Sequence, residues 1–277
     1  MADCQTSTEA ADAMFARYGA AMPDFGQWNA TLATLMSHRS VRGFTDQPIP
    51  EGVVETLVAA AQSAATSSNM QTWSVVAVTD AAMRAKFAAW ANNQAHVTQS
   101  PLVLVWLADL SRSERIGAAC GREMVTLPYT EMAMVAMIDA ALAAQNATVA
   151  AESLGLGTCY LGALRNKPQE VAEALGLPAQ CFPVFGLSIG WPDPARPSEI
   201  RPRLPQSVVL HHERYDISQE AFGIALYDER FTTHQRHVGL PPSGWVARMI
   251  ERMGVIRGLN GREIMRGALA VLGFPLG

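Results

Sequence analysis

Along this chain, apolar side chains return at every third or fourth position in some stretches and run uninterrupted in others, and the two patterns alternate. Residues 6–20 and 27–37 read as helices, the second opening near Gln27-Trp28-Asn29 and carrying Leu32, Leu35 and Met36. A third helix starts after Ile49-Pro50-Glu51, with Val53, Val54, Leu57, Val58 and Ala61 at helical spacing, and Thr66-Ser67-Ser68-Asn69 breaks it. Residues 73–79 predict a buried strand, Asp80 caps a helix through Phe87 and Trp90, and residues 101–107 predict a second strand. Residues 131–154 form the longest helical stretch, apolar nearly all round. Gly155-Leu156-Gly157-Thr158 ends it and feeds a short strand at 159–162, a helix near 168–175 and a strand through 182–191. Such alternation predicts a sheet covered by helices. From Arg230 to Gly277 the periodicity weakens, which predicts a tail wrapped over the main body.

Composition narrows the possibilities. With 277 residues the chain can bury a large core as one domain or two. Hydrophobic residues are 49% and charged ones 17%, so extra apolar surface is expected to be buried between subunits. A net charge of -4 leaves no broad basic face for nucleic acid or anionic lipid. The rival reading of residues 131–154 is a membrane span, but Asp139, Gln145, Asn146, Thr148 and Glu152 interrupt it, and a core or dimer helix is expected instead. Cys4, Cys120, Cys159 and Cys181 lie far apart without a C-x-x-C pair, and the acidic, polar N-terminus is unlike a secretory signal. Both point to a reduced, cytoplasmic protein.

Two remote basic clusters stand out against this acidic background. His38-Arg39-Ser40-Val41-Arg42 and Arg201-Pro202-Arg203 each offer forked donors matched to phosphate oxygens, so a phosphorylated cofactor held by both is the leading reading. Solvated surface arginines are the alternative. Other devices fail. There is no nucleotide P-loop and no H-E-x-x-H, and Gly155-x-Gly157 is followed by Tyr160 where a dinucleotide fingerprint needs glycine. Neither His211-His212 nor His234-x-x-His237 has the company a metal site needs, so no metal is expected. Gly-x-Ser-x-Gly is absent. Asp139, deep in an apolar helix, is either a tuned acid or a paired structural carboxylate.

Taken in register, His38–Arg42, Thr66–Gln71, Gly155–Asn166 and Phe185–Pro192 running on to Arg201–Pro205 resemble the FMN-dependent nitroreductase family, in its flavin reductase P and oxygen-insensitive major nitroreductase branch. The resemblance covers about residues 30 to 240. It implies an α+β fold, a mixed sheet flanked by helices, homodimeric with FMN at the subunit interface. Residues 1–30 would be an N-terminal extension, 31–240 the FMN-binding domain and 241–277 a C-terminal helical tail. By the same resemblance His38, Arg39, Ser40, Arg201 and Arg203 hold the FMN phosphate and ribityl chain, and Arg42 lies near the pyrimidine edge. Ser68 and Thr66 contact the cofactor from a partner-facing loop, Gln94 bonds the ring, and Tyr160, Leu161, Gly162 and Ala163 line it. Arg236 is matched to an arginine of a mobile C-terminal loop that grips the NADPH 2'-phosphate. Ala163 stands where the branch commonly has glycine, and Arg201 where it often has lysine. The implied activity is a ping-pong transfer from NADPH (NADH possible) through FMN to a small-molecule acceptor: a nitroaromatic, quinone or flavin. No protein nucleophile is needed, since flavin N5 carries the hydride. An FMN sensor or storage protein without turnover is the alternative.

Overall fold

The strand Leu102–Asp109 is buried at every position, and the sheet is built around it. An uninterrupted apolar run suits a central strand covered on both faces, whereas an edge strand would alternate. The computed structural model describes residues 2–19, 23 and 26–277. In chain order they form α1 (Ala2–Tyr18), α2 (Ala30–Ser37), α3 (Val53–Gln62), β1 (Trp73–Val78), α4 (Ala81–Trp90), α5 (Ala95–Gln99), β2 (Leu102–Asp109), α6 (Ser111–Ala119) and α7 (Thr130–Ser153). There follow β3 (Gly157–Leu161), α8 (Pro168–Ala174), β4 (Cys181–Gly190), α9 (Gln206–Val209), α10 (Glu220–His237), α11 (Trp245–Met253) and α12 (Met265–Val271). The helix expected over 6–20 is α1, residue 20 lying outside the described residues, as do 1, 21, 22, 24 and 25 of the expected extension.

Contacts divide the chain into two compact units, residues 1–39 with 199–259, and residues 40–198 with 260–277. The second contains the sheet, in the order β1-β2-β4-β3. Each neighbouring pair is antiparallel. The expectation of a mixed sheet is therefore corrected: the parallel pairing among the described residues is a single bridge, Ser40 to Thr158. The mixed sheet was an implication of the resemblance, whereas β1 and β2, joined through α4 and α5, pair antiparallel.

Helix α7 owes its place to alanine. Ala133, Ala136, Ala140, Ala143, Ala144, Ala147 and Ala151 repeat at helical spacing and are buried, which lets α3 and the sheet approach closely. Leu57, Leu104, Trp106 and Leu187 pack against that face. The opposite face exposes Met134, Ile138 and Leu142. By length and composition α7 could cross a membrane, yet its alanine face is inside this core. The last residues return to the same unit: Phe274 meets Phe182 edge to face, and the Gly277 N–H donates to Pro128 O at 3.1 Å.

The first unit is helical. Tyr227 of α10 packs against Phe231 and Trp245, and Gln235 is buried, its side-chain carbonyl accepting from the Gly244 N–H at 2.9 Å. The tail that showed weak periodicity contains the last turns of α10 and all of α11 here. The Asp228 carboxylate starts α11 by accepting from the Val246 N–H at 2.7 Å, a cap eighteen residues distant that no local pattern announces.

Candidate cofactor site

In the first unit, α2 ends at His38, and Arg39 follows it exposed to solvent. The loop carrying Arg201 and Arg203 belongs to the same unit, and both side chains are exposed. Arg39 donates to Ser37 O at 3.3 Å, and Arg203 to Arg201 O and Pro202 O at 3.4 and 3.2 Å. These acceptors are main-chain carbonyls, so no carboxylate among the described residues neutralises Arg39 or Arg203. Tyr227 fixes the loop from below, its hydroxyl donating to Pro202 O at 3.3 Å. Burial pushes the Tyr227 phenol up while the charges of Arg203 and Arg201 pull it down. His234 is lowered by burial and then by Arg201. Both guanidiniums of the second cluster therefore act on Tyr227, and that of Arg201 acts on His234 as well, the field an anion needs. Arg203 also borders a cavity of about 770 Å³ lined in part by Phe222, Leu226 and Tyr227.

In the second unit, Ser40–Phe44 lies along the sheet. Val41 N–H donates to Thr158 O at 2.8 Å, and Thr45 N–H to Trp191 O at 3.0 Å. Gly157 makes this possible, since a Cβ there would sit 2.7 Å from Val41 Cβ. Ser40 and Arg42 are thereby carried beside β3, whose Tyr160 and following Gly162 and Ala163 were expected to line a ring. Tyr160 is 37% exposed and edge-on to Phe185. Its hydroxyl donates to Gln145 Oε1 at 3.3 Å and accepts from Thr148 at 3.1 Å. Leu161 is 1% exposed, so its side chain serves the core and its main chain alone remains for a ligand.

Arg42 is exposed and close enough to His96 for its charge to act there: burial first, then Arg42, lower the imidazole to about 4. His96 is thus neutral at pH 7, and Arg42 supplies the positive charge. The His96 Nε2 is buried without a hydrogen-bond partner among the described residues. Gln94, two residues earlier, is half-buried, with its amide donating to Ala91 O at 2.9 Å.

The Thr66–Gln71 loop is held by Asp139. Oδ2 accepts from the Thr66 hydroxyl at 2.9 Å, the Thr72 N–H at 3.1 Å and the Thr72 hydroxyl at 2.9 Å, while Oδ1 accepts from the Ser67 N–H at 3.1 Å. Asp139 is therefore the paired structural carboxylate, one of the two readings its sequence context allowed. The loop needs such support, because Ser68, Asn69 and Gln71 all have positive φ. Ser68 stays exposed. The Thr66 hydroxyl also accepts from the Gln71 N–H at 2.9 Å and so helps to hold the loop itself. Arg112 braces the far end, donating to Gln71 O at 2.9 Å.

Arg236 requires a correction. It lies in the last turn of α10, exposed, and not in a loop. The buried Gln235 beside it shows why, as one face of this turn is packed and holds it helical. Asp139 and Arg112, which hold the Thr66–Gln71 loop, were not assigned to it from sequence. Asp139 gave a signal, a carboxylate in an apolar helix; Arg112 gave none.

Residues 35–191 match the nitroreductase family, and residues 201–277 match that family's C-terminal domain. An FMN reductase (NADPH) of Bacillus subtilis is 40% identical over 211 residues, 75% of this chain and 84% of its own length. An oxygen-insensitive NADPH nitroreductase of Salmonella typhimurium is 38% identical over 204 residues, 74% of this chain and 82% of its own. Among solved structures, NfrA2 of B. megaterium superposes with a TM-score of 0.84 at 34% identity, covering 90% of this chain and all of that one.

Proposed function

Because the chain belongs to the nitroreductase family, we propose that it is an FMN-dependent oxidoreductase that takes electrons from NADPH and passes them to a nitroaromatic, a quinone or free flavin. The observation that carries this reading is the basic set Arg39, Arg201 and Arg203, in which Arg39 and Arg203 donate to main-chain carbonyls and no carboxylate among the described residues consumes the charge of either. Forked guanidiniums held this way suit a phosphate monoester. FMN fits this donor set better than a flavin without phosphate. Bound FMN supplies a carrier for two electrons and a proton.

The chain's own residues bind and orient. Arg39, Arg201 and Arg203, with His38 and Ser40, take the phosphate and ribityl end. Arg42 takes the pyrimidine edge, where a fixed cation stabilises charge that develops on reduction, and the neutral His96 adds no second charge. Tyr160, Gly162, Ala163 and the main chain of Leu161 line the ring, with Gln94 and Ser68 as polar contacts. Arg236 takes the NADPH 2'-phosphate. Donor and acceptor use one face in turn, a ping-pong cycle. The outward face of α7, with Met134, Ile138 and Leu142 exposed, buries against a second copy in a homodimer, with FMN at the interface. The reduced state of the widely spaced cysteines suits the cytoplasm.

The purified protein should carry the visible absorbance of flavin. Mixing it anaerobically with NADPH should bleach that absorbance, and an added quinone should restore it. A yellow protein that NADPH leaves unchanged would instead favour a sensor or storage role, and a colourless one that FMN does not stabilise would reject both.

A further inference from the structure

Helix α1 precedes both family matches, which begin at residues 35 and 201, yet its last turn is bonded directly to the two segments that carry the phosphate arginines. The Arg17 side chain is 5% exposed. One arm of its guanidinium donates to Arg201 O at 2.9 Å, and the other donates to His38 O. A guanidinium is a rigid planar fork only a few ångströms wide, so these carbonyls, one next to Arg39 and one belonging to Arg201, are set at a fixed separation. Arg17 acts a second time through its main chain, its carbonyl accepting from the Arg203 N–H at 2.9 Å. Residues 201 and 203 are thus pinned at two points.

The helix end is itself secured. Arg230 of α10 donates to Phe15 O at 2.6 Å and Ala16 O at 3.1 Å, meeting carbonyls that a helix terminus leaves without intrahelical partners. Gly19 then turns the chain at φ +57°, and a Cβ there would fall 1.6 Å from Arg230 Nη1. Glycine at this position both permits the turn and leaves the space that Arg230 occupies.

We propose that Arg17 is a positioning residue for the phosphate clamp, and that α1 is the part of this chain that preorganises Arg39 against Arg201 and Arg203 for the phosphate of FMN. The proposal rests on the assignment of those three arginines to the phosphate. It predicts a loss confined to the phosphate end of the cofactor, which a general loss of folding would not produce.

The test titrates flavin-free full-length protein with FMN and, separately, with riboflavin, following flavin fluorescence, for wild type, Arg17→Ala, Arg17→Lys and Arg203→Ala. Arg203→Ala tests the clamp alone and should weaken FMN while sparing riboflavin. Arg17→Ala should raise the FMN Kd roughly tenfold or more and leave the riboflavin Kd within about twofold. Arg17→Lys keeps the charge without the fork and should fall between. If Arg203→Ala leaves FMN binding intact, the clamp assignment is lost, and this proposal with it. If Arg203→Ala is selective for FMN but both Arg17 variants bind FMN like wild type, or lose both flavins equally, Arg17 has no positioning role. Should Arg17→Ala fail to fold, the selectivity of Arg17→Lys decides.

Discussion

Asp139 accepts from both the N–H and the hydroxyl of Thr72 through a single carboxylate oxygen, at 3.1 and 2.9 Å, and the same side chain takes two further donors from Thr66 and Ser67. A helix in the core thereby dictates the path of an exposed loop. Replacing Asp139 with Asn removes the charge and turns one acceptor into a donor facing other donors. Stability should fall by roughly 2–4 kcal/mol, and flavin affinity should fall with it because Ser68 is no longer held. Urea unfolding and FMN titration check both; an Asn variant as stable as wild type would show that the loop is held by other contacts.

Gly157 and Val41 touch where the first basic cluster meets β3. A Cβ at residue 157 would lie within 2.8 Å of three Val41 side-chain atoms, and the branched valine cannot simply swing aside. Gly157→Ala should cost about 1–3 kcal/mol, and pairing it with Val41→Ala should recover much of that loss. Thermal melts of the single and double variants measure the coupling, and strict additivity would reject the contact as its source.

His96 gives stability a pH dependence of definite sign. Its folded value is lowered to about 4 from 6.5, so as pH falls through 6.5 the unfolded chain takes up a proton that the folded chain refuses. The stability contribution is complete above pH 6.5 and declines toward pH 4, by about 2 kcal/mol near pH 5. His96→Gln should flatten the slope of unfolding free energy over that window, whereas parallel slopes in variant and wild type would mean that other groups govern it.

Arg236, exposed at the end of α10, should discriminate between nicotinamide donors. Arg236→Ala should raise KM for NADPH by roughly tenfold or more and leave KM for NADH near its wild-type value. An equal change for the two would remove Arg236 from the 2'-phosphate.

The thiols should separate cleanly. Burial, then the negative charge of Asp109, pushes Cys181 up to about 12, and Cys159 is 3% exposed, whereas Cys120 is exposed. In a Cys4→Ser background, a maleimide should modify Cys120 in the native protein and reach Cys159 and Cys181 once urea is added. Mass spectrometry of the labelled peptides reads the outcome, and native labelling at Cys181 would contradict its burial.

The elements that sequence made legible are those with a local cause. Asp80 accepts from the Met83 N–H at 2.6 Å as an N-cap should, and the apolar runs of β1, β2 and β4 became strands within a few residues of their expected limits. The family motifs were legible for the same reason, as short segments of fixed chemistry. What escaped depends on partners remote in sequence. Arg17 looks like an ordinary polar residue at a helix end until residue 201 is folded against it, 184 positions away. The direction of the sheet escaped because crossover handedness and strand order leave little trace in hydrophobic period. The family resemblance matches Arg236 to a loop, and its helix, with Gln235 buried and Arg236 exposed, lacks the broad apolar stripe by which periodicity would have marked it as helical.

The return of residues 260–277 to the unit built by residues 40–198 has a consequence for biosynthesis. Phe274 covers Phe182, and the Gln180 N–H donates to Leu272 O at 2.7 Å. Until residues 260–277 have joined it, β4 keeps one flank bare, and chains halted before residue 260 are the species on which chaperones should act.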